Sequence, residues 1–162
     1  MIEGAVARAS VSELESLYRS RYDRFVRVAT AILRDEERAV DAVQEAFASA
    51  LRDRARFRGE GPLEAWVWRI VVNAARRERS RSRAVPIDEI VLEAPESRDE
   101  NTVSEMVARL PERQRLVLFL RYYADLDYES IARVLAIRPG TVAATLHSAH
   151  ASLRASFQEV SP

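Results

Sequence analysis

The chain has 162 residues, no cysteine, four glycines and a formal net charge of zero. That length suits one large domain or two small ones, and the missing thiols exclude a disulfide framework and any thiolate metal site. No apolar run approaches the length of a membrane span, and the N-terminal stretch lacks the basic-then-apolar order of a signal peptide, so the cytoplasm is the expected compartment. Hydrophobic residues make up 48% of the chain, enough for real cores. Ala, Leu, Arg and Glu abound and no periodic strand of convincing length appears, so the expected fold class is all-α. The neutral total is a cancellation between neighbouring blocks. Arg52 to Arg83 holds ten Arg against four acidic residues, a balance of +6, and Ala84 to Glu105 holds seven acidic residues and one Arg, a balance of −6. All 25 basic residues are Arg, a side chain suited to bidentate phosphate contact.

The first predicted helix runs from Ser12 to Leu33, with Leu14, Leu17, Tyr18, Phe25, Val28, Ala29 and Ile32 as its apolar stripe. The second runs from about Asp35, a plausible cap, to Arg54, with Ala39, Val43, Ala46, Phe47, Ala50 and Leu51 facing inward. FRGEGP, Phe57 to Pro62, is a turn signal. A third helix starts near Leu63, carries Trp66, Val67, Ile70, Val71 and Ala74, and ends in the basic run ARRERSRSR. Three successive amphipathic helices make a small bundle, which sets a first domain at residues 1–83.

Residues 84–101 break the pattern. They hold Pro86, Pro95 and many acids, and read as an extended acidic linker. Helices resume at about Thr102, opening a second domain at 102–162. Leu110-Pro111 interrupts, and Pro111 is placed to start a helix carrying Leu116, Val117, Leu118 and Leu120. From Asp127 to Arg154 the chain reads as a short helix, a tight turn and a longer helix. Ile131, Val134 and Leu135 share one face of the first; Val142, Leu146, Ala149 and Leu153 share one face of the second. Asp127 can cap the first and Pro139 fits the first turn of the second. Such a helix-turn-helix can place its second helix in a major groove of DNA.

Three ordered motifs carry a resemblance that covers nearly the whole chain. DAVQEAF, Asp41 to Phe47, is similar to the second conserved block of extracytoplasmic-function sigma factors of the sigma-70 family. FRGEGPLEAWVWRIVVNAARRERSR, Phe57 to Arg81, resembles the block that melts and reads the minus-ten promoter element. LPERQRLVLFLRYYADLDYESIARVL, Leu110 to Leu135, resembles the opening of the domain that reads the minus-thirty-five element. The resemblance implies a factor that directs core RNA polymerase to promoters and helps open the DNA. It implies contacts with the clamp helices and flap of the polymerase, promoter DNA, an anti-sigma factor as regulator, a monomer when free, and no cofactor. It also suggests that the acidic linker threads the polymerase's RNA path.

The residues themselves leave alternatives beside that implication. Asp41, Gln44 and Glu45 share one helix face opposite Val43 and Phe47; they read as a solvated outer face or, with the resemblance, as the polymerase-docking face. Trp66 and Trp68 point in different directions. Trp66 lies on the Val67–Ile70 side, and Trp68 is the candidate aromatic for stacking on single-stranded bases. Phe57, Arg58, Gly59, Glu60, Gly61, Pro62 and Leu63 match the family's loop that holds a base out of the stack. Asn73 matches a polar position facing that loop, where it either reads a base edge or makes local bonds. Arg69, Arg76, Arg77, Arg79, Arg81 and Arg83 would neutralise phosphates with little regard to sequence, or form a solvated basic tail.

The second domain departs from its family. Members carry Lys or Arg at several positions equivalent to Ala143, Thr145, Ser148 and His150, whereas Pro139 to Leu153 here contains neither. Arg-to-guanine readout is missing from that helix, which leaves Thr141, Thr145, His147 and Ser148, flanked by Arg138 and Arg154, as minus-thirty-five candidates. Ala136 stands where the family prefers Gly, at a cost of roughly 1 kcal/mol if that residue is left-handed. His147 and His150 lack a third ligand nearby, so no metal site is expected. Nor is an enzyme: no Gly-rich phosphate loop and no Ser–His–acid set is legible. The competing reading is a sigma-like or helix-turn-helix regulator with weak or altered minus-thirty-five recognition.

Overall fold

The structure is a computed structural model, and it describes residues 8–83 and 100–160. The expected acidic linker lies almost wholly outside the described residues. Seven α-helices and one 3-10 turn make up the described part, with no strand: α1 Val11–Leu33, α2 Glu36–Asp53, the 3-10 turn Arg54–Arg56, α3 Leu63–Arg83, α4 Glu100–Arg109, α5 Glu112–Tyr122, α6 Tyr128–Leu135 and α7 Pro139–Val160.

Local chemistry fixes the helix limits. Ser10 opens α1 through a capping box, accepting from the Glu13 backbone N–H at 3.1 Å while its own N–H donates to the Glu13 carboxylate at 2.9 Å. Asp35 caps α2 by accepting from the Arg38 N–H at 3.0 Å. Arg34, left-handed at φ 56°, ends α1, and its N–H reaches the Thr30 carbonyl.

Helices α1, α2 and α3 pack on one another around Phe25, which meets the edge of Phe47 at 5.2 Å and the indole of Trp68 at 4.2 Å. Trp68 is fully buried, so its assignment as an exposed stacking residue is corrected. Eight of the ten residues from Leu63 to Val72 are apolar, so periodicity marks no single stripe there. The side that meets Phe25 is the Trp68–Val71–Val72–Ala75 side, and Trp66 is the indole left partly exposed. Leu51, expected to face inward, is 38% exposed because it falls at the end of α2, beyond the cover of its neighbours.

Helices α5, α6 and α7 form a second cluster around Leu116, Leu120, Ile131, Val134, Val142, Leu146 and Ala149. The two halves are in contact: α1 lies against α5 and α3 against α6. Several arginines cross this junction. The Arg34 guanidinium donates to the Ala108 carbonyl at 2.9 Å, and Arg27 lies 5.5 Å from the ring centre of Tyr123, a cation–π distance. Arg115, buried within the second half, donates to the carbonyls of Ala108 and Leu110 at 3.1 and 3.2 Å and so closes the end of α4. Its burial, helped by the nearby Arg34 charge, pushes its pKa down.

Candidate nucleic-acid interface

The acidic face of α2 is open. Asp41, Gln44 and Glu45 are exposed, while Ala42, Val43, Ala46 and Phe47 on the opposite side are buried. Neither Asp41 nor Glu45 forms an ion pair among the described residues. Lower down the same helix, Arg38 grips Glu78 of α3, donating to its carboxylate at 2.9 Å and to its backbone carbonyl at 3.1 Å. That bond ties α2 to the basic end of α3.

The turn before α3 needs its glycines. Gly59 has φ 71° and Gly61 φ 122°, regions that side chains rarely adopt. Phe57 packs on Trp66 with ring centres 5.6 Å apart, and Leu63 is half-buried beside them. Phe57, Leu63 and Trp66 therefore make a partly exposed apolar cluster at the mouth of the turn, with Arg58 exposed next to it. Along α3, residues three, four, seven and eight apart share a face. Asn73, Arg76, Arg77, Ser80 and Arg81 line one shallow, open groove of about 440 Å³. Arg69, Arg77 and Arg81 are exposed. Arg76 and Arg79 are not free: the Glu112 carboxylate of α5 accepts from Arg76 Nε at 3.3 Å and from an Arg79 terminal nitrogen at 2.6 Å. Burial pushes the Glu112 carboxyl up, but the bonds and charges of Arg79 and Arg76 outweigh it and hold the group below its ordinary pKa. Arg83 ends the helix.

The helix-turn-helix is built as its sequence implies. The Asp127 carboxylate accepts from the Ser130 N–H at 2.7 Å, and that bond holds its pKa down. Ala136 is left-handed, at φ 54° and ψ 47°, and the Ile137 N–H closes the turn on the Ala132 carbonyl at 3.0 Å. Ala136 thus holds the position a glycine would occupy without strain. The outer face of α7 presents Gly140, Ala143, Ala144, His147, Ser148 and Ala151, with Arg138 and Arg154 exposed at its flanks. Thr141 and Thr145 are half-buried, and the Thr145 hydroxyl donates to the Thr141 carbonyl at 2.7 Å. His150 is turned toward α5, with its Nε2 3.0 Å from the Tyr122 hydroxyl. Sequence reading missed the pairing of Glu112 with Arg76 and Arg79. Those partners lie 36 and 33 residues away, and no local pattern marks such a contact.

Known proteins agree with this geometry. The sigma-70 region 2 family model matches residues 17–85, and the sigma-70, region 4 model matches residues 100–153. The chain is 32% identical over 145 residues to the RNA polymerase sigma-H factor of Pseudomonas aeruginosa, covering 76% of this chain and 75% of that one. It is 30% identical over 145 residues to the ECF RNA polymerase sigma factor SigM of Mycobacterium tuberculosis, covering 86% and 74%. It is 30% identical over 164 residues to the RNA polymerase sigma-E factor of Streptomyces antibioticus, covering 92% and 87%. Two solved structures share its fold at 20% identity and a TM-score of 0.71. They are the sigma factor RpoE bound to the anti-sigma factor NepR from Bartonella quintana, covering 91% of this chain and 98% of that one, and CnrH bound to the cytosolic domain of CnrY, covering 95% and 92%.

Proposed function

The chain belongs to the extracytoplasmic-function sigma factors of the sigma-70 family, which direct RNA polymerase to promoters, and we propose how its surfaces divide that work. The Asp41–Gln44–Glu45 face docks on the clamp helices of core polymerase. Charges on an exposed face bring little stability to their own fold, so this row is available to pair with arginines on a partner helix. Phe57, Arg58, Leu63 and Trp66 receive and stack the bases that leave the duplex, each stacked base contributing about 1–3 kcal/mol. Asn73 faces a base edge. Arg69, Arg76, Arg77, Arg79 and Arg81 take phosphates. Residues 1–83 and 102–162 act as the two promoter-contacting modules, joined by the acidic stretch 84–101.

Minus-thirty-five recognition falls to α7, by Thr141, Thr145, His147 and Ser148 between Arg138 and Arg154. With no cation between those flanks, this contact is weak and reads groove shape and methyl groups more than guanine. The chain works in the cytoplasm, where polymerase and promoters meet, as a monomer held in reserve by an anti-sigma factor and without catalysis of its own.

The one-sided row Asn73–Arg76–Arg77–Ser80–Arg81 beside a partly exposed apolar cluster is the observation that carries this reading. In vitro transcription with purified core polymerase on a promoter library tests it. The double reversal Asp41→Arg, Glu45→Arg should abolish promoter-specific transcripts while leaving helical content unchanged. Undiminished transcription from the reversed chain refutes polymerase docking through α2 and favours a regulator that acts without polymerase.

A further inference from the structure

We propose that the groove between α1 and the first turn of α3 is a second base-reading subsite, which takes an unstacked promoter base with an amino edge, adenine or cytosine, in preference to thymine or guanine. It rests on the proposed role of the turn before α3 and adds the position beside it. Ser12, Ser16, Leu17, Arg21, Leu63 and Glu64 line an open groove of about 470 Å³. This groove shares no residue with the arginine groove further along α3. Leu63 belongs both to it and to the apolar cluster at the mouth of the turn. A strand with one base in the turn therefore has a neighbouring base at the edge of this groove.

The walls suit a flat ring with a polar edge. Leu17 and Leu63 are half-buried and offer apolar surface. An extruded base is held by stacking between such side chains while its Watson–Crick edge is read by hydrogen bonds. Glu64 supplies the acceptor. Its Oε1 takes both protein contacts, the Trp68 indole N–H at 3.4 Å and the Arg21 guanidinium at 3.5 Å, and both are long for bonds to a carboxylate. Its Oε2 has no hydrogen-bond partner among the described residues and is open to solvent. Glu64 is thus only loosely used as a brace between the helices and keeps an oxygen for a ligand.

The order of groups sets the preference. Glu64 is the deeper of the ion pair, with 25% of its side chain exposed against 35% for Arg21. The exocyclic group projects furthest from a base ring, so it is the group that meets the carboxylate. An amino group of adenine or cytosine donates to it. A carbonyl of thymine or guanine sets two acceptors face to face. The ring nitrogen beside the amino group is an acceptor in adenine and cytosine, and Arg21 and the Ser16 hydroxyl line the same groove as donors.

Transcription by core polymerase loaded with the full chain, on promoters randomised through the melted segment and read by sequencing the transcripts, tests the subsite. The wild-type chain should select at one position set by the turn and at a neighbouring position enriched in adenine and cytosine. Glu64→Gln presents an amide that both donates and accepts. It should erase the second preference alone, a change on the order of tenfold in the ratio of adenine and cytosine to thymine and guanine. Ser16→Phe fills the groove from an exposed site on α1 and keeps the Glu64 contacts should Glu64→Gln fold poorly. It should erase the same preference. Trp66→Ala should weaken selection at the turn position and leave the adenine-or-cytosine position in force. If Trp66→Ala changes base selection but neither groove variant does, the second subsite is wrong and the turn remains the base acceptor. A wild-type chain with no adenine-or-cytosine position, or groove variants that lower transcription equally at every sequence, also overturns it. If none of the three variants changes selection, the role of the turn and the second subsite fall together.

Discussion

Helices α3 and α7 are of nearly equal length, 21 and 22 residues, yet their exposed faces carry opposite chemistry. α3 carries a row of arginines on one side and a fully buried indole on the other. The outer face of α7 carries alanine, serine, glycine and a histidine, and its cations sit only at the flanks. Phosphate affinity grows with each cation and falls steeply with salt, whereas readout by neutral groups is weak alone and needs no counterion release. On the proposed division of work, the contrast separates grip from selection within this chain. The element proposed to bind more weakly would then depend on being tethered beside DNA already held by polymerase and α3, where its effective concentration is high.

The largest expected effect concerns what anchors α3. Trp68→Ala should cost about 3–5 kcal/mol of stability, the usual range for emptying an aromatic core site, read from urea unfolding. Trp66→Ala should leave the unfolding midpoint nearly unchanged and slow open-complex formation. Equal loss of stability in the two variants would erase the distinction between the buried and the exposed side of α3.

A smaller effect comes from moving charge between the helices. Each of Arg77→Ala and Arg81→Ala should lower the slope of log affinity against log salt by about 1. Ser148→Arg on α7 should raise it by a similar amount and tighten binding to minus-thirty-five duplex by about 1–3 kcal/mol if a guanine lies within reach. A wild-type α7 whose duplex binding already shows a steep salt slope would break the comparison.

The smallest effect sharpens how α7 is positioned. Ala136→Gly should raise stability by up to about 1 kcal/mol, because a left-handed residue carries a Cβ penalty that glycine escapes. The measurement is the thermal midpoint of the full chain. A lower midpoint would mean that the lost chain stiffness outweighs the relieved strain.

Much of the fold was legible because its signals are local. Asp35 and Asp127 cap the helices they precede, Pro139 opens α7, and Ala136 is left-handed where a glycine would be preferred. The Ser10–Glu13 capping box is equally local, and it starts α1 at Val11, one residue before the expected Ser12. The Trp66–Trp68 inversion has a different cause. When nearly every position of a helix segment is apolar, only its neighbour decides which side is core, and Phe25 makes that choice from α1. The exposed acidic face of α2 was readable because polar and apolar positions alternate there with a clean helical period. The Glu112 ion pairs span 33 and 36 residues of sequence. Their partners meet only because α5 and α3 are folded against each other, so no window along the chain displays them.

The grip of Arg38 on Glu78 has a mechanical meaning. It braces the shaft of α2 to the far tip of α3 by three hydrogen bonds, one of them to a main-chain carbonyl that cannot rotate away. Under the proposed docking, a pull at the acidic row of α2 would reach the arginine row of α3 through this brace, so that the two faces would turn as one stiff jaw.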